Sequence, residues 1–346
     1  VVFGGVKMRE LKIAILGYGS AGRAFGKLLL EKSEAIRGAY DIEVQIVAIV
    51  TRSKGTLLDS TGIDLYEAEK QLTSTGRFKE GIAMRSMDVV TDVDYDILIE
   101  LTPLEIFSGQ PAIDHIKGAF ARGKHVISAN KGPIAWAFDE LCTLAKKNNC
   151  LFFYETTVMD GTPVFNLMSD TLKMCQVTEV NGILNSTTNF VLEELSKGVP
   201  YDEVIAEGER RGFIEADPSM DIEGWDAAAK VTVLLNVLMR ANITPMDIDR
   251  KGIEDITAAD ISAAASRGKV IKLLCNGKRV DGKVVGSVKP VELLKSDLLA
   301  TISGTSSAVS ITTDLMSTVS IVEHDPEIEQ TAYGILSDLI RVMDQI

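Results

Sequence analysis

The chain has 346 residues, 46% hydrophobic and 25% charged, an ordinary globular composition that excludes wholesale disorder. At about 100–200 residues per domain, this length predicts two domains and a core that needs no staples. Thirty-six Lys and Arg against 49 Asp and Glu leave a net charge of −13, which argues against a nucleic-acid or anionic-membrane binder. Four scattered cysteines (Cys142, Cys150, Cys175, Cys275) contain no C-x-x-C pair, so neither a disulfide framework nor a zinc ribbon is supported. The three histidines, His115, His125 and His324, lie far apart and read as loop or surface residues. No apolar stretch approaches the roughly 20 residues of a membrane span, and no signal peptide is visible. The chain therefore reads as cytoplasmic. Residues 1–7 precede Met8 and read as an extension outside the fold.

In chain order, Leu11–Leu16 is a short apolar run ending at Gly17, as expected of a buried parallel strand. Ala21, Ala24, Phe25, Leu28 and Leu29 follow at helical spacing. Val44–Val50 predicts a second strand, and Ile97–Leu101, Val126–Ser128 and Leu151–Tyr154 predict three more. Pro111–Phe120 and Ala135–Lys146 predict helices among them. Alternating strands and helices indicate a parallel α/β sheet of the Rossmann type over residues 8–155. Beyond that, helices dominate from Thr162 to Met239 around one strand near Val177–Leu184. Strand candidates return at Val270–Asn276, Lys283–Lys289 and Ala308–Thr312. This predicts an α+β domain over 156–312 that binds substrate and forms a dimer interface. A final amphipathic helix is predicted from Pro326 to the end, and the segment 313–346 is expected to pack back on the first domain.

Gly17-Tyr-Gly19-Ser20-Ala21-Gly22 is a G-x-G-x-x-G sequence between a strand and a helix, the context that makes the motif informative. Gly17 allows the tight turn, Gly19 lets a pyrophosphate approach, and Gly22 lets helix and strand pack. The N–H groups of the first helical turn, from Ser20 and Ala21 onward, then face the phosphates. After the second strand, where an NAD site usually has Asp or Glu, the chain has Thr51-Arg52-Ser53-Lys54. Two cations and a hydroxyl suit a ribose 2′-phosphate, so NADP(H) is expected to be preferred, with NAD(H) possible.

Glu215 to Asp226 puts five carboxylates into twelve residues, and Lys230 follows Asp226 by four. A helix starting near Asp221 would place Glu223, Asp226 and Lys230 on one face, with Val231, Leu234, Leu235 and Leu238 as its apolar stripe. A surface ion pair or a solvated acidic patch would also account for the spacing. The EF-hand pattern fails, because Met220 stands where glycine is needed. Lys131, in Ser128-Ala-Asn130-Lys131-Gly-Pro, follows a predicted strand directly. Such positions border the ligand crevice of parallel sheets, although an ordinary loop lysine fits too.

Together these segments resemble homoserine dehydrogenase, over nearly the whole chain from Leu11 to about Asp314. The matching pieces are the Gly17–Gly22 loop, Ala129-Asn130-Lys131, Glu155 to Pro163, Gly182 to Phe190, and above all Glu215-Ala-Asp217-Pro-Ser-Met-Asp221-Ile-Glu-Gly224-Trp-Asp226-Ala-Ala-Ala-Lys230. The resemblance implies NAD(P)-dependent interconversion of L-aspartate 4-semialdehyde and L-homoserine, on the path to threonine, methionine and isoleucine. It implies that Lys131 and Lys230 flank the reacting oxygen, with Lys230 the favoured acid/base and Asp226 beside them. Glu215, Asp221 and Lys131 would belong to the substrate pocket. Thr102, Asn130, Lys131, Gly212 and Gly304 would lie near the cofactor. A monovalent cation, Na⁺ or another, would be held by Glu155 and by carbonyls near Val158, Asp160 and Thr162. A homodimer is implied, without an appended regulatory domain. Three departures stand out: Ser186 replaces a usual glycine, Ser303–Ser307 replaces a glycine-rich stretch, and Met159-Asp160 replaces small residues in the ion loop.

This chemistry accounts for the residue types. Hydride addition to an aldehyde builds negative charge on oxygen, which a positioned ammonium stabilises and protonates. A second lysine and burial lower a lysine pKa, whereas a neighbouring carboxylate raises it, and the sequence leaves the balance open. Two other readings remain: an aspartate-dehydrogenase-like enzyme, which leaves the Glu215–Lys230 segment unexplained, and a non-catalytic NADP(H) sensor, which leaves both lysines unexplained.

Overall fold

The computed structural model describes residues 8–79, 81–215 and 217–346. Residues 1–7, read above as an extension, lie outside them. The first half of the chain runs β1 (Arg9–Leu16), α1 (Ser20–Tyr40), β2 (Ile42–Val50), β3 (Thr56–Leu58), α2 (Leu65–Thr75), α3 (Ser86–Asp92), β4 (Ile97–Glu100), α4 (Ala112–Ala121), β5 (His125–Ser128), α5 (Lys131–Lys147) and β6 (Phe152–Phe153). The sheet order is β3-β2-β1-β4-β5-β6, parallel except for β3. The central strands carry buried apolar runs, Ile13–Leu16, Ile46–Val50 and Ile97–Ile99, because both faces are covered. On β1, Leu11, Ile13 and Ile15 pack with α1, while Ala14 and Leu16 pack with residues of α3 and α4 on the other side. The chain reverses its direction of winding between β1 and β4, so the crevice beyond their carboxyl ends is the expected ligand position.

The second half runs α6 (Val164–Asn166), β7 (Val177–Ile183), α7 (Ser186–Ser196), α8 (Tyr201–Arg211), α9 (Ser219–Ile222), α10 (Trp225–Met239), β8 (Asp249–Arg250), α11 (Ala258–Ser266), β9 (Lys269–Val280), β10 (Lys283–Leu294), β11 (Ser307–Thr313), β12 (Ser317–Glu323) and α12 (Ile328–Met343). A second sheet has the order β12-β11-β7-β9-β10-β8 and is antiparallel except at β8. α10 lies in the core, buried on every face from Ala227 to Ala229 and from Val231 to Asn236, which is more than the single stripe expected.

Five expectations need correction. His115 is not a loop or surface residue but is buried within α4. The segment 313–346 does not pack back on the first domain as a whole: Ser317–Glu323 is a strand paired with β11 in the second sheet, and α12, the helix expected from Pro326, packs against the first domain through Ile335, Leu339 and Val342. The acidic segment is not one helix. Gly224, in the left-handed region at φ 80°, separates α9 from α10. Glu223 therefore leaves the face of Asp226 and Lys230, and its carboxylate accepts from Trp225 Nε1 instead. The long stretch after β2 contains β3, α2 and α3, none of which the sequence reading placed. Finally, α5 begins at Lys131 rather than Ala135, because the Asn130 side chain caps it, accepting from Gly132 N–H at 3.0 Å. Among the described residues, no helix is long and apolar enough to cross a membrane.

Candidate active site

Lys230 is carried on the second turn of α10 and Lys131 on the first residue of α5. Between them Asp226 offers one oxygen to each: Oδ2 lies 3.2 Å from Lys230 Nζ and Oδ1 lies 3.3 Å from Lys131 Nζ. Their side chains are only 18–21% exposed, so the two ammoniums and the carboxylate share a largely desolvated space. Asn185, at the N-cap of α7, joins the acids by donating from Nδ2 to Asp221 Oδ1 (2.6 Å) and Asp226 Oδ2 (3.0 Å). Lys230 Nζ also donates to Leu184 O at 2.7 Å.

The sequence left the charge state of Lys230 open. Burial disfavours its ammonium, but Asp226, Asp160 and Asp221 outweigh burial and raise its pKa above the ordinary lysine value. Burial likewise works against Asp226, yet Lys230, Lys131 and Asn185 hold its carboxyl well below the usual range. Asp221 moves the other way, pushed up by burial and by the Asp226 charge. Lys230 and Asp226 are therefore an ion pair at neutral pH, and with Lys131 on the other Asp226 oxygen the cluster is poised to present N–H hydrogens to an oxygen.

The dinucleotide crevice has matching features. Gly17 sits at φ 92°, and a Cβ there would lie 2.4 Å from Leu101 O, so only glycine fits between β1 and β4. A Cβ on Gly19 would meet nothing, which leaves open space over the first turn of α1, and no side chain caps that helix end. Its first N–H groups, on Ser20, Ala21 and Gly22, are thus available to an anion. Beside it a cleft of about 850 Å³ is lined by Arg52 and Ser53 and also by Arg77 and Arg85. Lys54 does not line it and instead lies where its charge acts on Glu69. Arg77 and Arg85 escaped the sequence reading because they lie about 25–33 residues beyond Arg52 in a stretch without a recognised motif.

Other expected residues are distributed as follows. Thr102 and Asn130 meet at the ends of β4 and β5, with Asn130 Nδ2 donating to Thr102 O at 2.9 Å. Gly304 is tied to α7: its carbonyl accepts from Asn189 Nδ2 (3.0 Å) and its N–H donates to Glu193 (2.7 Å). Ser186, the departure from glycine, begins α7 without a left-handed conformation. Gly212 ends α8 at φ 82°, and Glu215 is exposed on the loop beyond it. Among the described residues, no hydrogen bond or ion pair joins Gly212 or Glu215 to the lysine–carboxylate centre. Glu323, at the end of β12, is a further carboxyl near the centre: burial and Asp160 push its pKa up to about 7, and the charge of Lys230 opposes them.

The expected cation loop is compact. Glu155 is buried, and its carboxylate accepts N–H bonds from Val164 and Phe165 at Oε1 and from Asn166 at Oε2, between 2.6 and 2.7 Å. Met159 and Asp160 are both left-handed, and the turn is closed by Thr162 N–H donating to Met159 O at 2.8 Å and Val164 N–H donating to Thr162 O at 2.8 Å. Next to it, Thr156 Oγ1 and Asp338 Oδ1 are buried without a hydrogen-bond partner. Orphaned buried oxygens of this kind are what a small cation or a water would satisfy. Among the described residues, no group of three or more His, Cys, Asp or Glu side chains could hold a metal, so carbonyls would have to supply most ligands.

Known proteins match the chain over nearly all its length. A family model described as homoserine dehydrogenase, NAD binding domain, matches residues 17–155, and one described as homoserine dehydrogenase matches residues 163–340. A homoserine dehydrogenase from Methanocaldococcus jannaschii is 37% identical, covering 96% of this chain and 98% of its own. An NAD(+)-dependent homoserine dehydrogenase from Pseudomonas canavaninivorans is 34% identical, with 97% of each chain covered. The solved structure of a hyperthermophilic archaeal homoserine dehydrogenase in complex with NADPH superimposes with a TM-score of 0.83 at 29% identity, covering 97% of this chain and 98% of that one. With both halves matched by its models and full-length relatives above 30% identity, the chain belongs to the homoserine dehydrogenase family.

Proposed function

We propose that this protein catalyses reversible hydride transfer between L-homoserine and L-aspartate 4-semialdehyde in the cytoplasm, with NADP(H) preferred and NAD(H) accepted. One observation carries the reading: Asp226 bridging Lys131 and Lys230 within about 3.3 Å of each, at the edge of a dinucleotide crevice. The dinucleotide supplies or accepts the hydride. Lys230, kept an ammonium by its acidic neighbours, stabilises the charge that builds on the aldehyde oxygen and passes a proton to it. Lys131 supplies the second positive charge, and Asp226 orients both amines. In the alcohol-oxidising direction Lys230 has to be deprotonated, so homoserine oxidation should accelerate as pH rises into the alkaline range.

The substrate's ammonium needs carboxylates, for which Asp221 and Glu215 are the proposed partners. Glu215 would have to approach from its exposed loop. Arg52 and Ser53, with Arg77 and Arg85 lining the same cleft, favour a 2′-phosphorylated ribose. Na⁺ or another monovalent cation would be held by Glu155 and the carbonyls of Val158, Asp160 and Thr162, where it would offset buried negative charge. We assign residues 8–155 with α12 to cofactor binding and 156–312 to substrate binding and dimerisation. A homodimer predicts a solution mass near twice 37.5 kDa by light scattering.

The deciding assay follows absorbance at 340 nm with homoserine and NADP⁺. Lys230→Ala and Lys131→Ala should each lower kcat by about 10²–10⁴, the range for acid–base groups. A folded, dinucleotide-binding wild-type protein without turnover would defeat the proposal. Near-normal kcat in either variant would remove that lysine from the mechanism.

A further inference from the structure

The reaction outlined above uses neither Glu100 nor His115, yet both are buried at the carboxyl edge of the first sheet. Glu100 ends β4 with no exposed surface. A buried carboxylate is costly unless it is paired and hydrogen-bonded, and this one is both. His115 Nδ1, from α4, lies 2.8 Å from Oε2. The Thr102 N–H donates to Oε1 at 2.8 Å, and the Thr102 hydroxyl donates to the same oxygen. On the far side of the imidazole, Nε2 lies 2.7 Å from Ser86 Oγ, at the start of α3. Ser86 lines the 850 Å³ cleft that also holds Arg52, Arg77 and Arg85. In the other direction, Asn130 Nδ2 donates to Thr102 O at 2.9 Å and to Thr102 Oγ1 at 3.3 Å. Asn130 Oδ1 then accepts the Gly132 N–H at 3.0 Å. Lys131 is the residue between. A continuous run of hydrogen bonds thus links the cleft wall to the backbone turn that carries Lys131.

Its direction is set at Glu100. A carboxylate only accepts, so the Thr102 hydroxyl must point its hydrogen there and keep a lone pair for the Asn130 amide. That orients the Asn130 amide with its oxygen toward the α5 N-terminus. We propose that Glu100 and His115 are positioning residues for the reaction. They hold the Thr102 hydroxyl and, through Asn130, the turn bearing Lys131, and through Ser86 they tie both to the adenosine end of the cleft. This rests on the assignment of Lys131 to the reacting oxygen.

The test is steady-state kinetics of homoserine oxidation with NADP⁺. Glu100→Gln sets an amide NH₂ against either the Thr102 N–H or the His115 N–H. It should lower kcat by roughly 10–100-fold, as small misplacements of catalytic groups do, with little change in the KM for homoserine. His115→Leu should do the same, whereas His115→Gln, whose amide can still bond Glu100 and Ser86, should recover most of the loss. The double variant Glu100→Gln/Asn130→Ala should lose no more than the worse single variant, because both break one chain. Additive losses, or equal kcat in His115→Gln and His115→Leu, would overturn the positioning role. If Glu100→Gln does not fold, the His115 pair decides alone. Wild-type protein assayed beside them separates the two claims. No wild-type turnover defeats the reaction, while normal wild-type turnover with unaffected variants defeats only this relay.

Discussion

Lys230 and Lys272 are both buried lysines, displaced in opposite directions by their partners. Lys230 faces Asp226 and its pKa rises. Lys272 donates to Asn189 Oδ1 (2.7 Å) and Ile302 O (2.5 Å), which are polar but uncharged, and burial takes its pKa down to about 8 despite the more distant Glu193. Between pH 8 and the unperturbed 10.5 the unfolded chain binds this proton more readily than the folded chain, so stability rises with pH across that window. The slope from one such group is at most about 1.4 kcal/mol per pH unit. Urea unfolding from pH 8 to 10.5 should therefore show a steeper rise for wild type than for Lys272→Met, and parallel curves would contradict the assignment. A second residue-scale expectation concerns the cleft. Arg77→Ala and Arg85→Ala should each raise the KM for NADPH by roughly 10–100-fold while leaving that for NADH nearly unchanged, since a guanidinium–phosphate contact is worth about 1.5–3 kcal/mol only when the phosphate is there. Equal effects on both cofactors would place these arginines outside 2′-phosphate recognition.

At the scale of elements, legibility followed burial. The parallel strands were readable because helices cover both faces and make their central residues apolar, as in Ile97–Ile99 of β4. α2 was not: it buries only Leu65, Ala68 and Leu72, and its clearest signals are its caps, Asp64 accepting from Glu67 N–H and the left-handed Gly76. The lysine–carboxylate centre was legible as motifs, but Arg77, Arg85, Glu323 and the Glu100–His115 pair were not, since only the fold brings them to the cleft or the centre. Gly224 was the missed stop inside the acidic segment. At φ 80°, with a Cβ that would sit 3.3 Å from Val288 Cγ1, it turns the chain so that α10 starts at Trp225 and Asp226 faces both lysines. Gly224→Ala should cost about 1–2 kcal/mol for a left-handed L-residue, with a fall in kcat larger than any change in cofactor KM. An unchanged midpoint of unfolding would show that the turn relaxes freely.

For the whole molecule, α12 decides how the two halves are held together. One face completes the core around Phe25, Leu29 and Ile36 of α1. The other meets the chain where it leaves the first sheet: Asp338 Oδ2 accepts the Glu155 N–H at 2.9 Å, and Thr331 donates to Asp160 Oδ1 at 2.8 Å. Gly334 and Gly161 let the backbones touch. A Cβ on Gly334 would lie 2.8 Å from Gly161 Cα and 3.1 Å from Asp160 O, and both are backbone atoms that cannot swing away. α12 therefore presses on the same loop that is proposed to hold the cation, so packing and ion binding should be coupled. Gly334→Ala should cost about 1–3 kcal/mol by overpacking. If the loop binds Na⁺, wild type should gain Tm in NaCl over choline chloride at equal ionic strength, and Gly334→Ala should shrink that gain by displacing the Asp160 carbonyl. Choline salts control for screening, leaving ion size as the variable. A variant that loses stability yet keeps the full sodium-dependent gain would separate the two roles, leaving α12 as packing and the ion loop as independent of it.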